Sequence, residues 1–398
     1  MIKSKGITQK VEKNINYILE GKKEGKYVFA QPFTSAQSDI SEIGDKEVIM
    51  LTSNNYLGLA TNSEVKEAMK NALDKYGTGT CGARLHNGTT DLHVKLERKC
   101  AEFFGAEDAV VFSAGYMANL AGISSIGDKD TLIVTDQFNH ESIKDGITLS
   151  GAQVRIFSHN NMSKLEHILK NNANFDKKII LVEGIYSMDG DICPLDKVTS
   201  LAEKYNASIY VDEAHSFGFV GNNGRGVSEL FNVEDKIHMR MTTFSKSLAT
   251  VGGCIATDRD TAEYIRHFAN QYVFNASLPP TLAAGTLKAL EIMQTETWRK
   301  EKLWKNTVKF RRGLMELGIN TMNSVSPVIP IYIGDDEVNM KVTQELLERG
   351  VYIATAIYPA VPKGESRLRA TITASLSDED IENSLYIIEK VFKNNKLI

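Results

Sequence analysis

Two stretches decide the fold: Ser208-Ile209-Tyr210-Val211-Asp212-Glu213-Ala214-His215 and Met241-Thr242-Thr243-Phe244-Ser245-Lys246-Ser247, the second followed by Gly252-Gly253. Each is a short apolar run that ends in residues with chemistry. Runs this short and this apolar read as strands buried on both faces. Working outward, the same unit recurs. Residues 109–112, 131–134, 154–157, 178–182 and 253–256 read as further strands, and 162–170 and 195–205 as helices between them. That alternation predicts an α/β protein: a mostly parallel sheet with helices on both faces.

In open α/β sheets, ligands bind beyond the carboxyl ends of the strands. Polar residues follow those ends repeatedly here. Ser113-Ala114-Gly115-Tyr116 follow the first strand, Asp136 and Asn139-His140 the next, then Glu183, Tyr186-Ser187 and Asp189-Gly190. Asp212 and His215 follow the strand at 208–211, and Ser245-Lys246 the strand at 241–244. Five such groups in strand order imply one site along one sheet edge. Gly115-Tyr116 open a helix, whose free N–H groups suit an anion, with glycine allowing close approach. Asp212 is a carboxylate at a buried strand end, which is costly without a cationic partner. Asp212 and His215 also have the look of a metal-ligand pair, but no third ligand is implied nearby. Lys246, removed from water beside other positive charge, would have a lowered pKa, suited to Schiff-base formation and proton transfer.

The order, spacing and flanks of these groups resemble the α-oxoamine synthase family of fold-type I pyridoxal 5′-phosphate (PLP) enzymes, from about Asn54 to Arg369. The resemblance implies PLP carried on Lys246 as a Schiff base, with Asp212 holding the pyridine nitrogen protonated. It implies that His140 stacks on the ring, that His215 with Ser187 reaches the phenolic oxygen, and that Gly115, Tyr116 and Thr243 hold the phosphate. Ser277, in Phe274-Asn275-Ala276-Ser277-Leu278-Pro279, resembles a serine that reaches the phosphate of the neighbouring subunit's cofactor. Tyr76-Gly77-Thr78-Gly79 resembles a turn contributed across a dimer interface. Asn55, in Asn55-Tyr56-Leu57-Gly58, matches a segment near the amino-acid substrate. Arg369, in Leu368-Arg369-Ala370-Thr371, matches the arginine for the substrate carboxylate, a role suited to a bidentate guanidinium. Arg367 is its rival, on the same face of a strand. The implied enzyme is a homodimeric acyltransferase with shared active sites. It would condense serine, glycine or alanine with an acyl thioester, on coenzyme A or a carrier protein, releasing CO2 and thiol.

Within that family the chain is similar to more than one member. Ser245-Lys246-Ser247-Leu248 and Arg84-Leu85-His86-Asn87-Gly88-Thr89 resemble serine palmitoyltransferases. Phe219-Val220-Gly221-Asn222-Asn223-Gly224-Arg225-Gly226 and Val361-Pro362-Lys363-Gly364-Glu365-Ser366 resemble glycine C-acetyltransferase. An 8-amino-7-oxononanoate synthase is a third reading, and another fold-type I reaction such as transamination a fourth.

The rest of the chain frames this centre. Residues 1–55 read as a lead segment with an amphipathic helix and a hairpin-like piece, 56–285 as the large cofactor-binding α/β domain, and 286–398 as a smaller C-terminal α+β domain. In the last, a long helix is expected over 287–317, strands over 328–333, 351–354 and 367–372, and a final helix capped by Ser377. The 398 residues suffice for more than one domain, and a net charge of −4 gives no reason to expect nucleic-acid binding. Lys3, Lys5, Lys10, Lys13, Lys22, Lys23 and Lys26 crowd the N-terminus, as a solvated helix face or an attraction for an anionic partner. The cysteines, Cys81, Cys100, Cys193 and Cys254, show neither pairing nor metal spacing, which favours a reduced, cytoplasmic setting. No signal peptide or integral membrane segment is expected.

Overall fold

Alternate residues of the apolar runs point to opposite sides of one sheet, and both sides are buried. Val111, Val134, Val182, Val211 and Cys254 pack into one core, while Val110, Ile133, Leu181, Tyr210 and Ile255 pack into a second across the sheet. The computed structural model describes residues 5–24 and 27–398; Lys3 and Lys26 of the N-terminal lysine group lie outside them.

A hairpin, β1 (Ile40–Ile43) and β2 (Lys46–Met50), follows the lead helix Lys5–Lys23. The central sheet comprises β3 (Asp108–Phe112), β4 (Thr131–Asp136), β5 (Gln153–Phe157), β6 (Lys177–Glu183), β7 (Ser208–Asp212), β8 (Met239–Thr243) and β9 (Gly253–Thr257). Their spatial order is β3-β9-β8-β7-β6-β4-β5. Only β9 runs against its neighbours β3 and β8; the other pairs are parallel. The carboxyl ends of six strands therefore share one edge, as the sequence predicts. Phe244 falls outside β8: its N–H turns to Gly252 O at 2.9 Å, so the strand ends on Thr243.

The C-terminal third departs from expectation in two places. The helix expected over 287–317 is two helices, Pro280–Thr295 and Trp298–Glu316. Glu296 leaves helical geometry at φ −98°, ψ 66°, and its carboxylate turns to Arg299 Nε at 2.7 Å, beside the start of the second helix. A negative side chain is favourable there. The strand expected over 351–354 is also split. Its first half, β11 (Val351–Tyr352), pairs in parallel with β2, whereas β12 (Ala354–Ala356) joins β10 (Val328–Gly334) and β13 (Ser366–Thr371) in the order β10-β13-β12. The lead hairpin is thus sewn to the C-terminal third. The last helix, Asp378–Asn394, begins with the expected Ser377 cap, in a reciprocal box with Asp380.

Candidate active site

The site is built where β3, β4, β6, β7 and β8 end. β7 delivers Asp212, buried at 4 % exposure, opposite Glu183 of β6. Its two oxygens accept hydrogen bonds from Ala214 N (2.9 Å) and Asn119 Nδ2 (2.7 Å). Asn119 sits one turn into the helix Gly115–Ile126 and does more than hold Asp212. Its Nδ2 also donates to Ser142 Oγ (2.8 Å), and Ser142 Oγ lies 2.7 Å from His140 Nδ1. Its Oδ1 accepts from the Tyr210 hydroxyl at 2.8 Å. One amide therefore links the carboxylate of β7 to the imidazole after β4. His140 is fixed at its backbone too, where its N–H donates to Glu183 Oε1 at 2.5 Å.

Lys246 follows β8 and faces this group. Burial lowers its ammonium to about 8; Asp212 and Glu183 pull the other way, and Arg369 adds to the lowering. Burial also lowers His140 and, with help from Lys246 and Arg369, drives His215 well below the imidazole range. Glu183 moves well above the carboxylate range, by burial and then by Asp212. A carboxylate beside a lysine that titrates near 8 and two imidazoles whose charged forms are disfavoured is an arrangement for moving protons.

His215 Nδ1 meets the Tyr56 hydroxyl at 2.7 Å, not Ser187. Tyr56 is raised to about 12 by burial, against the opposing pull of Arg369 beside it. Arg369 donates from Nε to the main-chain oxygen of Ser187 (2.6 Å) and from Nη1 to Asn54 Oδ1 (3.2 Å) and Thr371 Oγ1 (2.8 Å). Asn54, not Asn55, is the asparagine against this arginine; the Asn55 oxygen accepts from Leu59 N and Ala60 N and shapes its own turn. Arg367 is 1 % exposed and held by Asp189 (Nη1 to Oδ1, 2.7 Å) and by Glu365.

The Gly115 turn is close-packed on β8. A Cβ at Gly115 would fall 2.7 Å from Thr243 Cβ and Oγ1, and one at Gly253 would fall 2.7 Å from Gly115 Cα. Two glycines thus let a helix N-terminus approach the end of β8. Thr243 Oγ1 lies 2.9 Å from Ser245 Oγ and donates to Gly252 O at 3.0 Å. Tyr116 is half-exposed, its hydroxyl donating to Asp145 and its ring edge-on to His140 at 6.1 Å between centroids. The segment that carries Ser277 reaches the Gly115 turn through Asn275, whose Nδ2 donates to Ser113 Oγ at 2.8 Å. Ser277 Oγ meets Thr80 Oγ1 at 2.7 Å and its N–H donates to Gly82 O, pinning the segment 275–278 to the glycine-rich loop 77–90. The neighbouring Phe274 is 82 % exposed.

Most of the sequence-predicted residues therefore converge: Gly115, Tyr116, His140, Asp212, His215, Thr243, Lys246 and Arg369. Asn55 is turned into its own loop, Ser187 contributes its main-chain oxygen, and Ser277 is half-buried against Thr80. Sequence reasoning missed Asn119, Asn54 and Tyr56 as site residues. Asn119 had a signal, as a polar residue in the apolar helix opening Gly115-Tyr116-Met117-Ala118-Asn119-Leu120-Ala121.

The donor set fits PLP. A carboxylate beside amide and imidazole groups suits a pyridinium ring, a glycine-lined helix N-terminus beside a threonine suits a phosphate, and a lysine lowered to about 8 suits an aldehyde. Comparison with known proteins agrees. Residues 46–388 match aminotransferase class I and II, and the chain belongs to that family. Within it, the chain is an α-oxoamine synthase, a PLP-dependent acyltransferase. It is 38% identical to a serine palmitoyltransferase of Sphingobacterium spiritivorum, over 99% of both chains. It is 37% identical to an 8-amino-7-oxononanoate synthase of Bacillus pumilus, over 95% of this chain and 96% of that one. Its fold matches a serine palmitoyltransferase variant from S. paucimobilis with a bound PLP–myriocin aldimine, at a TM-score of 0.95 and 34% identity, covering 98% of this chain and 99% of that one.

Proposed function

We propose that this enzyme condenses serine with a long-chain acyl-CoA, releasing CO2 and coenzyme A and leaving an α-amino ketone. The cluster of Lys246, Asp212, His140 and His215 on one sheet edge, with Arg369 beside it, carries the reaction class; serine and a long acyl chain are supported by the likeness to serine palmitoyltransferases. When bound, PLP supplies an electron sink that stabilises negative charge at the amino-acid α-carbon. Lys246 would carry the cofactor as a Schiff base, with Asp212 and His140 as the groups that would hold its ring. His215, steadied by Tyr56, serves the phenolic oxygen. Gly115, Tyr116 and Thr243 hold the phosphate.

Arg369 holds the substrate carboxylate and so orients the bond from the α-carbon to its proton. The Lys246 amine, whose pKa burial lowers to about 8, takes that proton in its neutral form. The α-carbon then attacks the thioester carbonyl and expels the thiol. Loss of CO2 follows, and return of a proton completes the product. Asp212 would be the carboxylate that pairs with the protonated ring. Its two short hydrogen bonds preorganise it for that task.

The working form in this reading is a homodimer with shared active sites. The exposed Phe274, three residues before Ser277, supports that assembly. The division into a lead segment (1–55), a cofactor-binding domain (56–285) and a C-terminal domain (286–398) belongs to the same reading, supported by the separate β10-β13-β12 sheet. A cytoplasmic setting is supported by four free cysteines. No helix among the described residues is long and apolar enough to cross a membrane.

A second reading has a specific observation behind it, the relative named 8-amino-7-oxononanoate synthase. An α-amino ketone of that structure, with a methyl on the amino carbon and a carboxylate at the far end, derives from alanine and a shorter acyl group that itself ends in a carboxylate. The test is a panel of serine, alanine and glycine crossed with acyl-CoA chain lengths, with and without a terminal carboxylate, scored by thiol release. Serine with a long chain as the best pair supports the first reading; alanine with a short chain supports the second. No thiol release with any pair removes both.

A further inference from the structure

One histidine outside the cluster is held in a way that its own packing does not require. His159 lies beyond β5, with Nδ1 3.0 Å from Asp136 Oδ1 and Nε2 2.8 Å from Asp191 Oδ2. Carboxylates only accept, so both ring nitrogens carry hydrogens and the ring is an imidazolium. The ring stacks on Phe138 at 4.7 Å and meets the edge of Tyr186 at 4.4 Å. Burial works against its charge, but the two carboxylates outweigh burial and raise it to about 10.

What this clamp joins is informative. Asp136 ends β4 and also accepts from Phe138 N (2.8 Å), two residues before His140, and from Asn160 N (2.9 Å). Asp191 belongs to the loop 184–193, and Asn160 Nδ2 holds it as well, at 2.9 Å. That loop is closed at its neck, where Cys193 N donates to Gly184 O at 3.0 Å and Ile185 bridges Ile192. Inside it, Tyr186 N donates to Asp191 O at 3.2 Å, and the next residue is Ser187, whose carbonyl accepts from Arg369 Nε at 2.6 Å. An unbroken chain of short contacts runs from the end of β4 through His159 to the guanidinium of Arg369.

We propose that His159, clamped between Asp136 and Asp191, is a positioning residue for the reaction. It fixes the loop that sets the Arg369 fork, and so governs how well the amino-acid carboxylate is held. The inference rests on Arg369 being the carboxylate group. His159 touches neither substrate nor cofactor in this scheme; it acts through Asp191 and Ser187.

The test is steady-state kinetics on the holoenzyme with three variants. His159→Gln can donate to one carboxylate but not to both. Asp191→Asn keeps the shape of the loop residue and removes its charge. Arg369→Lys reports on the carboxylate site itself. For His159→Gln, the amino-acid KM should rise about tenfold, the scale on which slight misplacement of a binding group is felt. The thioester KM should change little, and kcat should fall less than the amino-acid KM rises. Amino-acid binding, titrated directly through the cofactor absorbance, should weaken in parallel. Asp191→Asn should move the same way by less, and the double variant should be no worse than His159→Gln alone, because both cut one chain. If His159→Gln does not accumulate as folded protein, Asp191→Asn and its binding titration carry the test alone. A raised KM in Arg369→Lys with none in His159→Gln or Asp191→Asn overturns this inference and leaves the carboxylate assignment standing. An unchanged KM in Arg369→Lys overturns both. Equal losses in kcat and in both KM values would mean a general loosening of the fold and also overturn it.

Discussion

Replacing Asn119 by alanine separates a site residue's two duties. In the native structure Asn119 Nδ2 is one of two donors to Asp212, at 2.7 Å, and also steadies Ser142 beneath His140 at 2.8 Å. Its oxygen receives the buried Tyr210 hydroxyl at 2.8 Å. Losing a hydrogen bond to a charged group costs about 2 kcal/mol, and orphaning a buried hydroxyl costs a similar amount. The first loss is felt by Asp212, whose orientation matters at the step where charge develops. If most of it reaches the barrier, kcat falls roughly 10- to 100-fold. The second loss is felt by the fold. Tyr210→Phe removes the hydroxyl but leaves Asn119 on Asp212, so it should alter stability and leave kcat near wild type. The assay is thiol release at saturating substrates beside the denaturant midpoint of each variant. If Tyr210→Phe lowers kcat as far as Asn119→Ala does, or if Asn119→Ala keeps wild-type kcat, the bridge has no catalytic part and the reasoning fails.

Other expectations follow from neighbouring groups. Arg369→Lys keeps a charge but loses the planar fork, so the amino-acid KM should rise while cofactor absorbance stays intact. Arg367→Lys should instead lower thermal stability with little change in that KM, because Arg367 is 1 % exposed and tied to Asp189 and Glu365; the reverse pattern would exchange the two roles. The pH dependence of cofactor attachment to the apoenzyme reads Lys246 directly. Only the neutral amine attacks the aldehyde, and burial sets its pKa to about 8, so the rate should climb with pH through that value rather than near 10.5. Asp212 favours the charged form of Lys246, so Asp212→Asn should move the midpoint downward and should also cut kcat roughly 100-fold. An upward shift would contradict the assigned electrostatics.

Much of this site was legible because a strand buried on both faces must be apolar, so the polar residue that ends it stands out. Asp212 and Lys246 are conspicuous for that reason. The partners that set them were less visible. Asn119 and Asp212 are 93 residues apart, and nothing local to either announces the contact. The Tyr56–His215 bond spans 159 residues. The two arginines of β13 share a face by the two-residue period, so alternation could not separate them. What separates them is the facing loop, which offers a carboxylate at Asp189 and a carbonyl at Ser187. The expected long helix failed for a local reason, the turn of Glu296 onto Arg299, which the helical period of its flanks conceals. His159 had no signal in its own segment, since one of its carboxylates ends β4 and the other lies in the loop after β6.

The central claim is that Lys246 bears the cofactor. Borohydride reduction of the purified, yellow holoenzyme, followed by digestion and mass mapping, tests it most directly. A single pyridoxyl-modified peptide should carry the label on Lys246, and none should come from Lys246→Ala. A label on another lysine, or equal labelling of Lys246→Ala, would contradict it.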